Sequence, residues 1–420
     1  MNRVGQKRTQ MPCRFSGDND REDALKSGDM IADGASRLEL VDALRGYALM
    51  GLFLVHMEEY YELYWASPHP AWTTNLIFGL FMGKTFSLLA LCFGFSFYVM
   101  MEGGRRRGRP FAGRFAWRLV LLALIGFAHS LLYRGDIILV LAAIGFLLIP
   151  FDYVRSNRLL LAAAAFCFAQ PYLWIWVAGS YVGASWAAQP PLSEADPAMQ
   201  VYLTGGFGEV LHANLTDGQA NKWAFFINTG RCAQVLGLFL IGLVLGRTNF
   251  FVDLGRFRRG RAVALVASIA MMVGLYLVRM QTSKAAAGPA HWLDSILGGW
   301  QNLAAMAMSV LLFILAWRVG ADRLLRLLVP AGRMTLSLYI GQSLLFVPLF
   351  YAFGAGLYAT IGQGPSLLLG IVAFVVQVAA AGWWFRHFHY GPLEWLWRCG
   401  TRTSLAIPFR RHAAPELVSA

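Results

Sequence analysis

Charge is scarce in this sequence. Asp, Glu, Lys and Arg make up 14% of 420 residues, where a soluble domain carries about a quarter. A chain so poor in charge cannot clothe an ordinary water-facing surface, which excludes a soluble globular enzyme. Cysteine is scarce too. Cys13, Cys92, Cys167, Cys232 and Cys399 are scattered, and no pair has metal-ligand spacing, so no metal is expected. Short alternating segments of the kind that build a barrel are missing, as are an internal repeat and a separate soluble domain. The first 36 residues have no apolar core, so they do not form a signal peptide. They are mixed in charge and predict a disordered cytoplasmic tail, with Met11 and Met30 as alternative starts.

What is abundant is apolar: 57% of residues, with a mean hydropathy of +0.51. Runs long enough to span a bilayer recur near 39–57, 75–101, 115–133, 137–151, 158–180, 225–247, 262–280, 294–318, 334–353 and 366–386. The expectation is an all-α integral membrane protein of about ten helices, with a transmembrane domain over 37–400 and a C-terminal tail over 401–420. Net charge is +13. Its excess lies in the arginine clusters at 105–114, 155–158, 247–261, 318–333 and 386–411, while the loops 58–74 and 354–365 have no Lys or Arg. That alternation sets topology and puts both termini in the cytoplasm, and it gives no nucleic-acid surface. The longest outer loop, 181–224, predicts one short interfacial helix over Val201–Leu215. Trp65, Trp72, Trp186, Trp223 and Trp292 fall near outer boundaries, as an aromatic belt would.

Ionisable groups at membrane depth persist mainly where they have a partner or a task. The first span carries Asp42 and Arg45 on one face, and His56 follows Arg45 by about three turns, about 16 Å along the helix. His56, Glu58, Glu59 and Glu62 cluster at its outer end, with His69 in the following loop. His129 sits near the outer end of the third span, and Tyr133-Arg134-Gly135-Asp136 turns into the fourth. An imidazole beside a carboxylate is the minimal apparatus for general base catalysis. The structural alternative for each histidine is a hydrogen-bonded residue at a helix interface. On the basic side, Asp42, Arg45, Arg114 and Arg118 could hold the phosphates of an acyl donor, or simply fix topology. Lys84 either snorkels or walls a cavity. Thr335, Tyr339, Gln342 and Ser343 approximate one face of the ninth span, as helix glue or as a substrate path.

Several of these segments resemble the YeiB-like family of multipass bacterial membrane proteins. They are Val41-Asp42-Ala43-Leu44-Arg45-Gly46, Gly83-Lys84-Thr85-Phe86-Ser87-Leu88, and His129 with Gly135-Asp136-Ile137. Gly332-Arg333-Met334 through Gln342-Ser343 and Gly391-Pro392-Leu393-Glu394-Trp395-Leu396-Trp397-Arg398 complete the set. That family is similar to the transmembrane acyltransferases, which include the acyltransferase-three enzymes and the lysosomal heparan glucosaminide acetyltransferase. The resemblance implies a bacterial inner-membrane enzyme moving an acetyl or acyl group from cytoplasmic acyl-CoA to a periplasmic or lipid-linked sugar, with a homodimer the common state of related enzymes. It implies His56, at its spacing from Arg45, or His69, three residues before Trp72, as the catalytic histidine. Two rival functions remain beside it: a carrier without chemistry, against which stand the absence of an inverted repeat and of paired broken helices, and a sensor using the 181–224 loop as a contact surface.

Overall fold

In a computed structural model of the chain, residues 38–108, 111–193, 196–282 and 289–411 are described. The expected tail 1–36, Arg109 and residues beyond 411 lie outside them. Among the described residues every regular element is a helix, apart from one isolated bridge between Phe388 and Arg410. Seven helical stretches are long and apolar enough to cross a membrane: Glu39–Ala66, Trp72–Arg106, Ala112–Leu132, Asn157–Tyr181, Arg258–Gln281, Ala290–Arg333 and Gln363–His387. A bent pair, Asp217–Asn228 with Arg231–Arg247, brings the number to eight, and Ile138–Tyr153 and Thr335–Phe350 are shorter apolar helices. The chain is an all-α multipass membrane protein. Each of the ten stretches expected from sequence has a helical counterpart, though not each is a full span.

The centre is α1 (Glu39–Glu58): 83% of the apolar window of its span is buried, against 6% for the helix starting at Arg258, which lies at the lipid-facing edge. Packing around α1 is backbone to backbone. A side chain at Gly46 would strike the Leu328 carbonyl, and one at Gly332 would strike that of Asp42. The following elements are α2 (Trp72–Leu80), α3 (Thr85–Arg106), α4 (Ala112–Leu132), α5 (Ile138–Leu148), α6 (Asn157–Ala169) and α7 (Pro171–Tyr181). Then come α8 (Ala198–Thr204), α9 (Phe207–Leu215), α10 (Asp217–Asn228), α11 (Arg231–Arg247), α12 (Arg258–Thr282), α13 (Pro289–Ala316), α14 (Thr335–Phe350), α15 (Gln363–His387) and α16 (Pro392–Arg402). Gly94 of α3 backs onto Phe239 of α11, and Gly246 of α11 onto Tyr98, so these two helices run parallel.

Three expectations fail. No paired broken helices were expected, but the chain breaks inside three of the expected spans. Gly83 (φ +75°) separates α2 from α3, and Gln170 takes a left-handed conformation before Pro171. Gly230 (φ +74°) bends α10 against α11 by 66°. Proline cannot donate the amide a continuing helix needs, and positive φ is not helical. The single interfacial helix over 201–215 is instead α8 and α9, split at Gly205-Gly206, with Tyr202, Val210 and Asn214 turned into the protein. Trp292 is not a belt residue. It is 3% exposed and donates Nε1–H to the Ala187 carbonyl at 3.1 Å.

Candidate functional site

The outer end of α1 ends in a tight sequence of turns in which Tyr60, Tyr61 and Glu62 all take positive φ. This folds Glu59 and Glu62 back beside His56. The His56 Nδ1 lies 2.9 Å from Glu59 Oε1 and 2.9 Å from the Tyr133 hydroxyl. The other Glu59 oxygen accepts from Trp65 Nε1 at 3.1 Å. Glu58 faces the opposite way and accepts from Thr74.

One turn later in the bundle, His129 Nδ1 lies 2.8 Å from Asp136 Oδ1, with both side chains essentially sealed. The second Asp136 oxygen accepts the Leu139 amide at 2.8 Å and so caps the first turn of α5. The Gly135-Asp136 turn therefore fixes the carboxylate, and the carboxylate fixes the imidazole. In both histidines Nε2 is buried and makes no hydrogen bond among the described residues. Tyr133 and Tyr339 stand between the rings: centroid separations are 5.2 Å from His56 to Tyr133 and 5.2 Å from His129 to Tyr339. The Tyr339 hydroxyl receives the Ile137 amide at 3.3 Å, tying α14 to the same turn.

A lid of ion pairs lies outside these dyads. Arg134 bonds Glu62 through Nε and Asp196 at 2.5 Å through Nη1, and lies over the Tyr202 ring. Burial alone would lower its pKa, but Glu62, Asp196 and Tyr202 more than reverse this and raise it. Tyr202 reaches Asn214 at 2.6 Å, and Asn214 reaches the Leu131 carbonyl. The loop between α7 and α10 is thus folded down over the site. Lys222 of α10 enters from this side. It is 5% exposed, its ammonium makes no hydrogen bond, and it lies within electrostatic reach of Asp136 and Glu62.

The other residues singled out from sequence fall elsewhere. His69 is exposed on the loop before α2, its Nδ1 2.9 Å from the Ser67 carbonyl, and it does not join the dyads. Arg45 is half-buried, bonded to Asp42 at 2.8 Å and Ser96 at 2.5 Å. Arg118 stacks 3.9 Å above Trp397, and Arg114 is exposed. Arg45 and Arg118 make separate contacts and Arg114 is exposed, so the three do not assemble one shared pocket. Lys84 bonds the Phe78 carbonyl that ends α2. Gln342 bonds Gln377, and Thr335 the Gly332 carbonyl, which favours the helix-glue reading. Ser343 is buried beside Tyr61. The Gly391–Arg398 motif acts on α14: Glu394 accepts the Leu336 and Ser337 amides and the Ser337 hydroxyl, capping that helix from a neighbouring segment.

Sequence reasoning missed Lys222 and Arg231. Both are lone cations beside or within the predicted span 225–247, and the criterion that singled out Arg45 would have found them.

Residues 245–404 match a family model described as "Protein of unknown function (DUF418)". Over 381 residues the chain is 27% identical to "Uncharacterized protein YeiB" of Escherichia coli (strain K12), covering 85% of this chain and 94% of that one. The chain is therefore similar to YeiB over most of its length. It is also 25% identical over 397 residues to "Uncharacterized protein YxaH" of Bacillus subtilis (strain 168), covering 88% and 95%. A third relative, the "Uncharacterized 39.9 kDa protein in amylase 3'region" of Bacillus acidopullulyticus, is 24% identical over 387 residues, with 87% and 94% covered. The family model covers Tyr339 and Glu394, while both histidine dyads precede it.

Proposed function

We propose that this protein is a membrane-embedded acyltransferase of the bacterial inner membrane, with both termini cytoplasmic, and that His129 is its general base. The observation that carries this reading is the His129–Asp136 pair, held at 2.8 Å, with the opposite ring nitrogen left without a hydrogen bond. A carboxylate on Nδ1–H fixes the tautomer whose Nε2 can take a proton. An acceptor hydroxyl, on a periplasmic or lipid-linked sugar, would give its proton to that nitrogen while its oxygen attacks the donor's thioester carbonyl. The thiolate of CoA would leave and take up a proton. His56, oriented by Glu59 and Tyr133, is the second candidate at the same depth. Acyl-CoA would approach from the basic side, where half-buried Arg45 sits on the central helix α1.

Inside-out membrane vesicles fed with labelled acetyl-CoA test the proposal. Label should pass into the lipid or glycan fraction in wild type and fall about a hundredfold or more in His129→Gln. Equal transfer in wild type, His129→Gln and His56→Gln would remove the reading. A second reading, a carrier of a polar or lipid-linked substrate, draws on the 66° bend at Gly230, since broken helices frame substrate sites in transporters. Concentrative uptake without any acyl donor would favour it.

A further inference from the structure

A second polar centre lies where the breaks converge. The parallel helices α3 and α11 start at the same end of the bundle, and each starts with a cation: Lys84 at the N-cap of α3 and Arg231 as the first residue of α11. The N-terminus of a helix carries the positive end of its dipole, which favours an anion and disfavours a cation. Here two such ends and two cations are within electrostatic reach of one another. Among the described residues neither Lys84 nor Arg231 makes an ion pair. Arg231 lies over the rings of Phe225 and Phe86, at 4.5 and 5.5 Å, and Lys84 has only the Phe78 carbonyl. Glu59 is the one carboxylate whose field reaches Arg231, and it is already bonded to His56 and Trp65.

The third break supplies neutral donors. Gln170 is fully buried, yet neither its amide nitrogen nor its amide oxygen has a hydrogen-bond partner. Gln234, one turn into α11, is 4% exposed with an unpartnered Nε2. A Cβ placed at Gly299 of α13 would collide with the Gln234 amide and press on the Gln170 amide at 3.3 Å, so both amides border one point. Gly230 backs onto Gln170 there as well. A buried amide left without a partner has lost its hydration with nothing in return. Gln234 follows Arg231 by one turn of α11, and Gln170 backs onto the adjacent Gly230, so amides and cation share the break, and that is the donor set of an anion site in discontinuous membrane helices.

We propose that Lys84, Arg231, Gln170 and Gln234 form a binding site for a phosphate group, carried by an anionic lipid headgroup or free in solution. A guanidinium, an ammonium and two amides offer more donors than a carboxylate can accept, and the tetrahedral oxygens of a phosphate match them. The site is separate from the His129 dyad and does not depend on it for chemistry.

Thermal unfolding of the full-length protein in detergent tests this, with three probes: dihexanoyl phosphatidylglycerol, inorganic phosphate, and dihexanoylglycerol, which has no phosphate. Phosphatidylglycerol should raise the Tm of wild type and of His129→Gln alike, while dihexanoylglycerol should not. The apparent Kd should weaken at least tenfold in Arg231→Gln and in Lys84→Met. A shift from inorganic phosphate as large as that from the lipid would assign the site to the free anion. If Arg231→Gln does not fold, Gln234→Leu reports instead, since it removes one donor and no charge. No shift from either phosphate probe, or an equal shift in the variants, overturns the proposal. Because His129→Gln is measured alongside, loss of acyl transfer and loss of phosphate binding remain separate results.

Discussion

A methyl group on Gly332 would strike the carbonyl oxygen of Asp42, a residue 290 positions earlier in the chain. Gly46 meets the Leu328 carbonyl in the same contact. Two glycines from distant motifs thus let the segment before α14 press against α1, and the Asp42–Arg45 pair sits in the seam they close. Gly332→Ala should destabilise the protein by about 2 kcal/mol or more, because the obstacle is backbone and cannot rotate away. Thermal unfolding in detergent checks this, with Gly341→Ala, which meets nothing within 4 Å, as the comparison.

Asp136→Asn preserves shape at the His129 dyad and changes its proton. An amide nitrogen donating to Nδ1 would place the ring proton on Nε2, where the proposed base needs a lone pair. Acyl transfer should fall about a hundredfold or more while the unfolding temperature moves little. Unchanged transfer would detach Asp136 from the chemistry.

Arg134 holds two carboxylates. Arg134→Met should cost about 3 kcal/mol, the low end for breaking a buried pair, since Glu62 and Asp196 are 19% and 24% exposed. Adding Glu62→Gln and Asp196→Asn should recover part of that loss. If the triple variant is no better than Arg134→Met alone, uncompensated charge is not the cause.

Glu394 gives a pH dependence. Burial raises its pKa above the ordinary 4.5, although four hydrogen bonds, from the Ser337 hydroxyl and amide, its own amide and the Leu336 amide, pull it back. Between the unfolded and the raised folded value the native state binds more protons than the unfolded one. Glu394's contribution is therefore fully present below about pH 4.5 and declines as pH rises through the folded pKa. Glu394→Gln keeps an acceptor for the α14 amides without the titrating proton. Its unfolding temperature should lack the decline above pH 4.5 that wild type shows, and identical pH profiles would count against this assignment.

The apolar runs alone determined that this chain is a helical membrane protein, because a bilayer imposes length and composition locally, one segment at a time. The same local logic made His56, His129 and Asp136 visible, since each is an isolated cost at membrane depth. What it could not give was partnership. Whether His129 meets Asp136 depends on a tight turn between α4 and α5, and whether His69 joins them depends on a loop that leads it away. The breaks at Gln170 and Gly230 were equally hidden, because a glycine or a proline in an apolar run permits a bend without requiring one. Only packing against α13 decided that those bends bring Gln170, Gln234 and Gly299 together, and only the parallel pairing of α3 with α11 put Lys84 and Arg231 at the same end. Such contacts join residues many helical turns and several elements apart, and no spacing within one segment encodes them.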